Sequence, residues 1–221
     1  LSAQAKEASA TSGVPVESKV VEGNIFEDIG GMAATIDAKL IIMGTHGAKG
    51  LQKVTGSYAL KVITNSDVPF VVVQKREILE HGYKKIVMPL DLLKESTQQL
   101  RIASELARYF RSEIHIFGKG ESDPFMANKV KANILVAKKF LKKEGASSTV
   151  SIGEGKSSFD KEVLDYPTGI GADLISIVNI RESLFSMFGG FEQHIIANAL
   201  EIPALIMNPR QQSKMGNYLF V

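Results

Sequence analysis

Gly44-Thr45-His46-Gly47, eight further residues and then Gly56-Ser57 form the segment of this chain best suited to hold an anion. It follows an apolar run, Leu40 to Met43, and leads into a stretch of helical periodicity that ends near Ile63. Ligands of open parallel sheets bind beyond the carboxyl ends of the strands, where glycine loops enter helices. Gly44 and Gly47 permit tight turns and close backbone approach, and a glycine at a helix start leaves the first amides within reach of a phosphate. The helix end adds roughly half a positive charge. Ser57 can donate a hydroxyl to a phosphate oxygen, and Lys49 or Lys53 can lie over the same place. Glycines also serve plain turns and lysines solvated loops, so spacing alone leaves both readings open.

Other chemistries are narrowed by what the chain lacks. With no cysteine there are no disulfides, thiolate-zinc sites or cysteine nucleophiles. His46, His81, His115 and His194 are scattered without metal-ligand spacing, so no metal site is expected. Lys and Arg number 26 against 24 Asp and Glu, a net charge of +2 that argues against a nucleic-acid partner. At 44% hydrophobic and 23% charged, the composition is that of a folded globular chain. No apolar run reaches the ~18 residues of a spanning helix, and no basic-then-apolar leader opens the chain. The expectation is a cytoplasmic protein with no membrane partner. The chain opens on Leu1 inside an Ala-rich, helix-like stretch to Thr11, which points to a beginning further upstream.

A repeat organises the elements that would position the loop. Ala38-Lys39-Leu40-Ile41-Ile42-Met43-Gly44 lies over Ala172-Asp173-Leu174-Ile175-Ser176-Ile177-Val178 at an offset of 134. The same offset sets Gly56 on Gly190, and Val68-Pro69-Phe70-Val71-Val72-Val73 on Ile202-Pro203-Ala204-Leu205-Ile206-Met207. Upstream the offset becomes 132, pairing Gly13 with Gly145 and Glu22-Gly23 with Glu154-Gly155. Residues 1–76 then match only the second half of a unit that is complete over 83–209, with 77–82 as linker and 210–221 as a tail.

In the complete unit Lys84 to Pro89 reads as a strand, Glu95 to Arg111 as a helix and Glu113 to Phe117 as a strand. There follow a helix from Asn128 to Glu144, a strand from Ser148 to Ile152 and a helix through about Leu164. Last come the buried run Asp173 to Val178, a helix from about Gly190 to Leu200 and the strand Ala204 to Met207. Gly118 to Pro124 reads as a mobile connection. Short Ile/Val/Leu runs without alternation indicate strands covered on both faces, hence an α/β unit with a five-stranded parallel sheet and helices on each side.

Leu-Ile-Ile-Met-Gly, then Thr-His-Gly, a spacer, Gly-Ser, a helix, a Val-Pro pair and a final Val-rich strand resemble the universal stress protein family over residues 14–76. The second unit resembles a complete, divergent copy, with Pro89-Leu90-Asp91 closing its first strand. The resemblance implies an open sheet of order 3-2-1-4-5 and, in the nucleotide-binding branch, ATP or a related adenine nucleotide with Mg. The family's glycine motif has nine spacer residues where this chain has eight. Carried over residue by residue, Gly44, Thr45, His46 and Gly47 fall near ribose and phosphate, and Gly56 and Ser57 at the phosphates. The adenine-side Asp of the first unit would precede Leu1.

The second unit keeps Asp91 but sets Val178, Arg181 and Phe191 where the first has Gly44, Gly47 and Ser57, with Glu182 nearby. A ring at the helix start fills phosphate space and offers no donor, so this unit is read as nucleotide-free, with Asp91 either touching a ligand or capping a turn. No assembled base or metal group for hydrolysis is evident, so the chain reads as a binder. The alternative is a nucleotide-free scaffold in which Phe185-Ser186-Met187-Phe188-Gly189-Gly190-Phe191 docks a signalling partner. An enzyme of the wider adenine-nucleotide α-hydrolase type ranks last. The resemblance further implies that Phe70–Val73 and Ala204–Met207 pair antiparallel within the chain as a pseudo-dimer, with homo-oligomers also expected.

Overall fold

The computed structural model describes residues 1–45, 56–77, 80–180 and 190–209. Apolar runs become strands here because helices cover both faces of one sheet, so side chains are buried in both directions. β6 (Leu174–Val178) is buried at every position, and β3 (Lys85–Leu90) at all but its first. With β1 (Ile41–Gly44), β2 (Phe70–Val73), β4 (Glu113–Gly118), β5 (Ser147–Ile152) and β7 (Ala204–Met207) they form a seven-stranded sheet of order β1-β2-β7-β6-β3-β4-β5. Every neighbouring pair is parallel except β2 and β7, which run antiparallel.

That pair is the antiparallel pairing expected of Phe70–Val73 with Ala204–Met207, and through it the sheet has seven strands where five were expected. Phe70 lies opposite Ile206, Val71 opposite Leu205 and Val72 opposite Ala204, which joins both parts of the chain into one sheet of seven strands. Edge strands leave backbone groups unpaired, and pairing β2 with β7 removes two such edges at once. Within residues 85–207 the strands lie in the order β5-β4-β3-β6-β7.

Backbone contacts recur at the 134-residue spacing. Ile41 N donates to Pro69 O at 2.9 Å and Ile175 N to Pro203 O at 3.0 Å. Thr45 N donates to Val73 O at 3.0 Å and Asn179 N to Met207 O at 2.8 Å. Ala38 N donates to Ala33 O at 2.8 Å and Ala172 N to Pro167 O at 2.9 Å. Residues 15–20 stand at the repeat position of β5, yet they form no strand. β5 is held by β4, and no counterpart of β4 flanks residues 15–20 among the described residues.

The helices are α1 (Ser2–Ser12), α2 (Ile25–Thr35), α3 (Gly56–Thr64), α4 (Leu100–Phe110), α5 (Pro124–Lys143), α6 (Phe159–Ile170) and α7 (Phe191–Ile196). On one face Phe70, Val72, Ile175, Ile177 and Ile206 pack against α2, α3, α6 and α7. On the other Ile86, Met88, Ile114, Ile116 and Leu205 pack against α4 and α5. Each such buried side chain contributes about 2 kcal/mol relative to exposure.

Boundaries differ from the sequence reading where a local bond outweighs periodicity. A 3-10 segment, Lys94–Gln99, precedes α4, and the Gln99 side chain donates to Pro89 O at 3.1 Å. α5 starts at Pro124 because the Asp123 carboxylate accepts from Met126 N at 2.8 Å and Pro suits a first helical position. α6 continues through Pro167 to Ile170 and ends at Gly171 in the left-handed region. The stretch read as a mobile connection is pinned: Lys119 N donates to Leu90 O at 2.8 Å, and a Cβ on Gly120 would strike the Gly153 carbonyl. α7 stops short of Leu200 because Asn198 turns the chain, donating to Ile195 O and Ile202 O, each at 2.8 Å. No described helix is long and apolar enough to cross a membrane.

Candidate functional site

β1 ends at Gly44, and Thr45 follows it into the site. Thr45 is buried, its backbone N–H donating to Val73 O at 3.0 Å and its hydroxyl to the same carbonyl at 3.3 Å. Gly44 is exposed, and among the described residues a Cβ there would meet nothing within 4 Å. Because β1 and β2 are parallel, α3 must run back between them. That return sets Gly56 and Ser57, in the first turn of α3, at the same sheet edge as Gly44. The topology thus sets the end of β1, at Gly44 and Thr45, and the start of α3, at Gly56 and Ser57, at one edge of the sheet. His46 and Gly47, with Lys49 and Lys53, lie outside the described residues. α3 is steadied by α2, with Tyr58 and Phe26 ring centroids 6.0 Å apart and Lys61 5.7 Å from the Phe26 ring.

The corresponding place in the second half is filled. Val178 and Asn179 occupy the positions of Gly44 and Thr45, and Asn179 donates to Asn208 Oδ1 at 2.7 Å and Thr64 Oγ1 at 3.3 Å. Phe191, at the position of Ser57, stacks on Phe159 with centroids 5.6 Å apart and planes 10° apart. Phe159 stacks in turn on Phe117 at 6.2 Å, and Phe117 on Tyr166 at 4.7 Å. This column sets aromatic rings, which offer no strong donor to a polar ligand, between β4, α6 and the start of α7. Asp91 Oδ1 accepts from Leu93 N at 2.9 Å, the geometry of a turn cap. Arg181, Glu182 and Phe185 to Gly189 lie outside the described residues, as does the tail 210–221.

One polar pair at this edge escaped the sequence reading. His194 Nδ1 and Asp160 Oδ2 are 2.6 Å apart, joining the start of α6 to α7. Burial raises the Asp160 pKa, but hydrogen bonds from Ser158 and His194, the His194 charge and the Lys161 N–H outweigh it, and the carboxyl lies below its usual value. Asp160 in a first helical turn is a visible signal for a helix start. Its partner lies 34 positions away, and nothing local announces it.

The model of the Universal stress protein family matches residues 1–74, about a third of the chain. The whole chain shares the fold of a universal stress protein from Archaeoglobus fulgidus DSM 4304, at 15% identity and a TM-score of 0.67 over 96% of this chain and 78% of that one. A universal-stress-protein-like structure from Pseudomonas aeruginosa UCBPP-PA14 matches at 15% identity and a TM-score of 0.63, over 94% of this chain and 76% of that one. Another universal stress protein from Archaeoglobus fulgidus, solved in complex with dAMP, matches 58% of this chain and 98% of its own at 19% identity and a TM-score of 0.47. No curated protein matches the chain.

Proposed function

We propose that the chain binds an adenine nucleotide, ATP or a relative of it, through the loop between β1 and α3. The observation that carries this reading is the placement of the exposed end of β1, where no described atom lies within 4 Å of a Cβ on Gly44, at the same sheet edge as the first turn of α3. Gly44, Thr45, His46 and Gly47 would line the ribose and phosphates, and Gly56 and Ser57 would meet the phosphates at the positive helix end. Mg would accompany the phosphates as their counter-ion. The role is binding and stress response, in the cytoplasm.

In this reading residues 1–76 are the carboxyl half of one unit, 77–82 a linker, 83–209 a second unit of strand order 3-2-1-4-5, and 210–221 a tail. The antiparallel register supports an intrachain pseudo-dimer. Val71 and Leu205, repeat equivalents 134 apart, are directly opposed, so the local two-fold passes between them. The aromatic column supports a second unit that serves as packing partner and holds no nucleotide. The same column favours the alternative of a nucleotide-free scaffold if the first loop proves empty.

The test is on the full protein: nucleotide released by denaturation is identified by mass spectrometry, and ATP is titrated against wild type and Gly56→Asp. Binding that the added carboxylate abolishes supports the proposal. No released nucleotide and no titration signal would overturn it in favour of the scaffold.

A further inference from the structure

The net charge of +2 conceals an uneven distribution. α5 carries Lys129, Lys131, Lys138, Lys139, Lys142 and Lys143 with no acidic residue, so the rest of the chain is net acidic. All six lysines are exposed. Among the described residues no carboxylate lies within ion-pair distance of Lys131, Lys138, Lys139 or Lys142. Lys129 is 4.6 Å from the Phe125 ring.

Apolar side chains stand among these charges. Phe125 is 65% exposed, Leu135 53% and Val136 52%. The helix buries Val130, Ile134, Ala137 and Leu141 against the sheet, and at 3.6 residues per turn Phe125, Val136, Lys139 and Lys143 share the opposite face, with Leu135 beside them. A groove of about 580 Å³ between α5 and the start of β5 is lined by Leu135, Lys138, Lys139, Lys142 and residues 145–148. Beyond it β5 exposes Val150 and Ile152 on the side of the sheet that α5 covers.

We propose that this face docks on an anionic lipid bilayer, with α5 lying in the plane of the interface. Interfacial helices combine Lys-rich flanks, which meet headgroup phosphates, with apolar side chains that enter the acyl boundary. A nucleic-acid backbone would satisfy the lysines but leave Phe125, Leu135 and Val136 in water, so the interleaving favours a membrane surface. The expected lack of a membrane partner rested on spanning segments, which is a separate matter from attachment at the surface. The proposal is independent of nucleotide binding at the β1–α3 loop.

Vesicle flotation of the full chain tests it, with phosphatidylcholine alone and with added phosphatidylserine. The chain should float with the anionic vesicles only, less so as ionic strength rises. Each lysine is worth roughly fivefold in partition, so Lys138→Gln/Lys139→Gln/Lys142→Gln should weaken binding about a hundredfold. Leu135→Ser/Val136→Ser, with charge intact, should lose about tenfold. Failure to float with anionic vesicles at low salt would overturn the proposal. Salt-insensitive flotation, an unchanged triple variant, or binding to a DNA duplex without binding to vesicles would overturn it equally. The wild-type salt series reads the same property without relying on any variant's folding.

Discussion

Gln74 and Asn208, repeat equivalents 134 apart, each cap the end of a helix that belongs to the other half of the chain. Gln74 Nε2 donates to Ile196 O at 3.0 Å and Asn198 O at 3.1 Å, at the end of α7. Asn208 Nδ2 donates to Ile63 O at 2.6 Å and Ser66 O at 2.7 Å, at the end of α3. Carbonyls at helix ends lack intrahelical partners, and each amide satisfies two of them.

Removing either amide should therefore loosen the junction from both sides. Gln74→Ala and Asn208→Ala are each expected to lower stability by about 1–2 kcal/mol, the worth of two net hydrogen bonds in a partly buried setting. Urea denaturation at fixed protein concentration measures this. Midpoints unchanged in both variants would show that the caps are incidental to the β2–β7 join.

Asp91 bonds to Leu93 N, and so its loss should be felt in stability and not in ligand affinity. Asp91→Ala is expected to cost about 1 kcal/mol and to leave the ATP titration of the full chain unaltered. A variant of wild-type stability with weakened ATP binding would instead place a nucleotide at the second unit.

The Asp160 carboxyl is held below the usual aspartate value of 3.8 by bonds formed only in the folded chain. Its contribution to stability is thus complete above that value and is lost as pH falls through the lowered one. Wild type should exceed Asp160→Asn in melting temperature at neutral pH, and the gap should close under strongly acid conditions. Calorimetry across that range checks the sign; a gap that widens toward low pH would contradict it.

Phe191 fills the place of Ser57, but the ring is one layer of a stack that continues through Phe159 to Phe117. Phe191→Ser should cost about 2 kcal/mol, since a half-buried ring loses only part of the usual penalty for truncating Phe. Because the two deeper rings remain, one nucleotide per chain is still the expected stoichiometry by calorimetric titration. A stoichiometry of two would show that Phe191 alone bars the second cleft.

How far the sequence reveals such features depends on how local their causes are. β6 and β7 are legible because Leu174 to Val178 and Ala204 to Met207 are apolar runs buried on both faces, and the 134-residue offset aligns their register with that of β1 and β2. The start of α5 was also within reach, since Asp123-Pro124 carries both a cap and a first-turn residue. The bond between Asp160 and His194 and the cross-caps of Gln74 and Asn208 were not, because each joins residues far apart in sequence. The aromatic column fails for the same reason: Phe117, Phe159, Tyr166 and Phe191 share no periodicity and meet only when β4, α6 and α7 converge. Around the loop, the glycine pattern reveals the end of β1 at Gly44 and the start of α3 at Gly56.

The join of β2 to β7 also dictates the order of events during synthesis. Val71 leaves the ribosome well over a hundred residues before Leu205, its partner across the antiparallel ladder. At about 5–20 residues per second that interval lasts several seconds or more, during which β2 keeps an unsatisfied edge. The early half must therefore wait, exposed, for the last strand of the late half, and a contact of such long sequence separation forms slowly even once both ends are free. A nascent chain halted anywhere before β7 would carry a sticky ribbon of Phe70 to Val73, a natural substrate for chaperones and a starting point for mispairing with a neighbouring chain at the same stage.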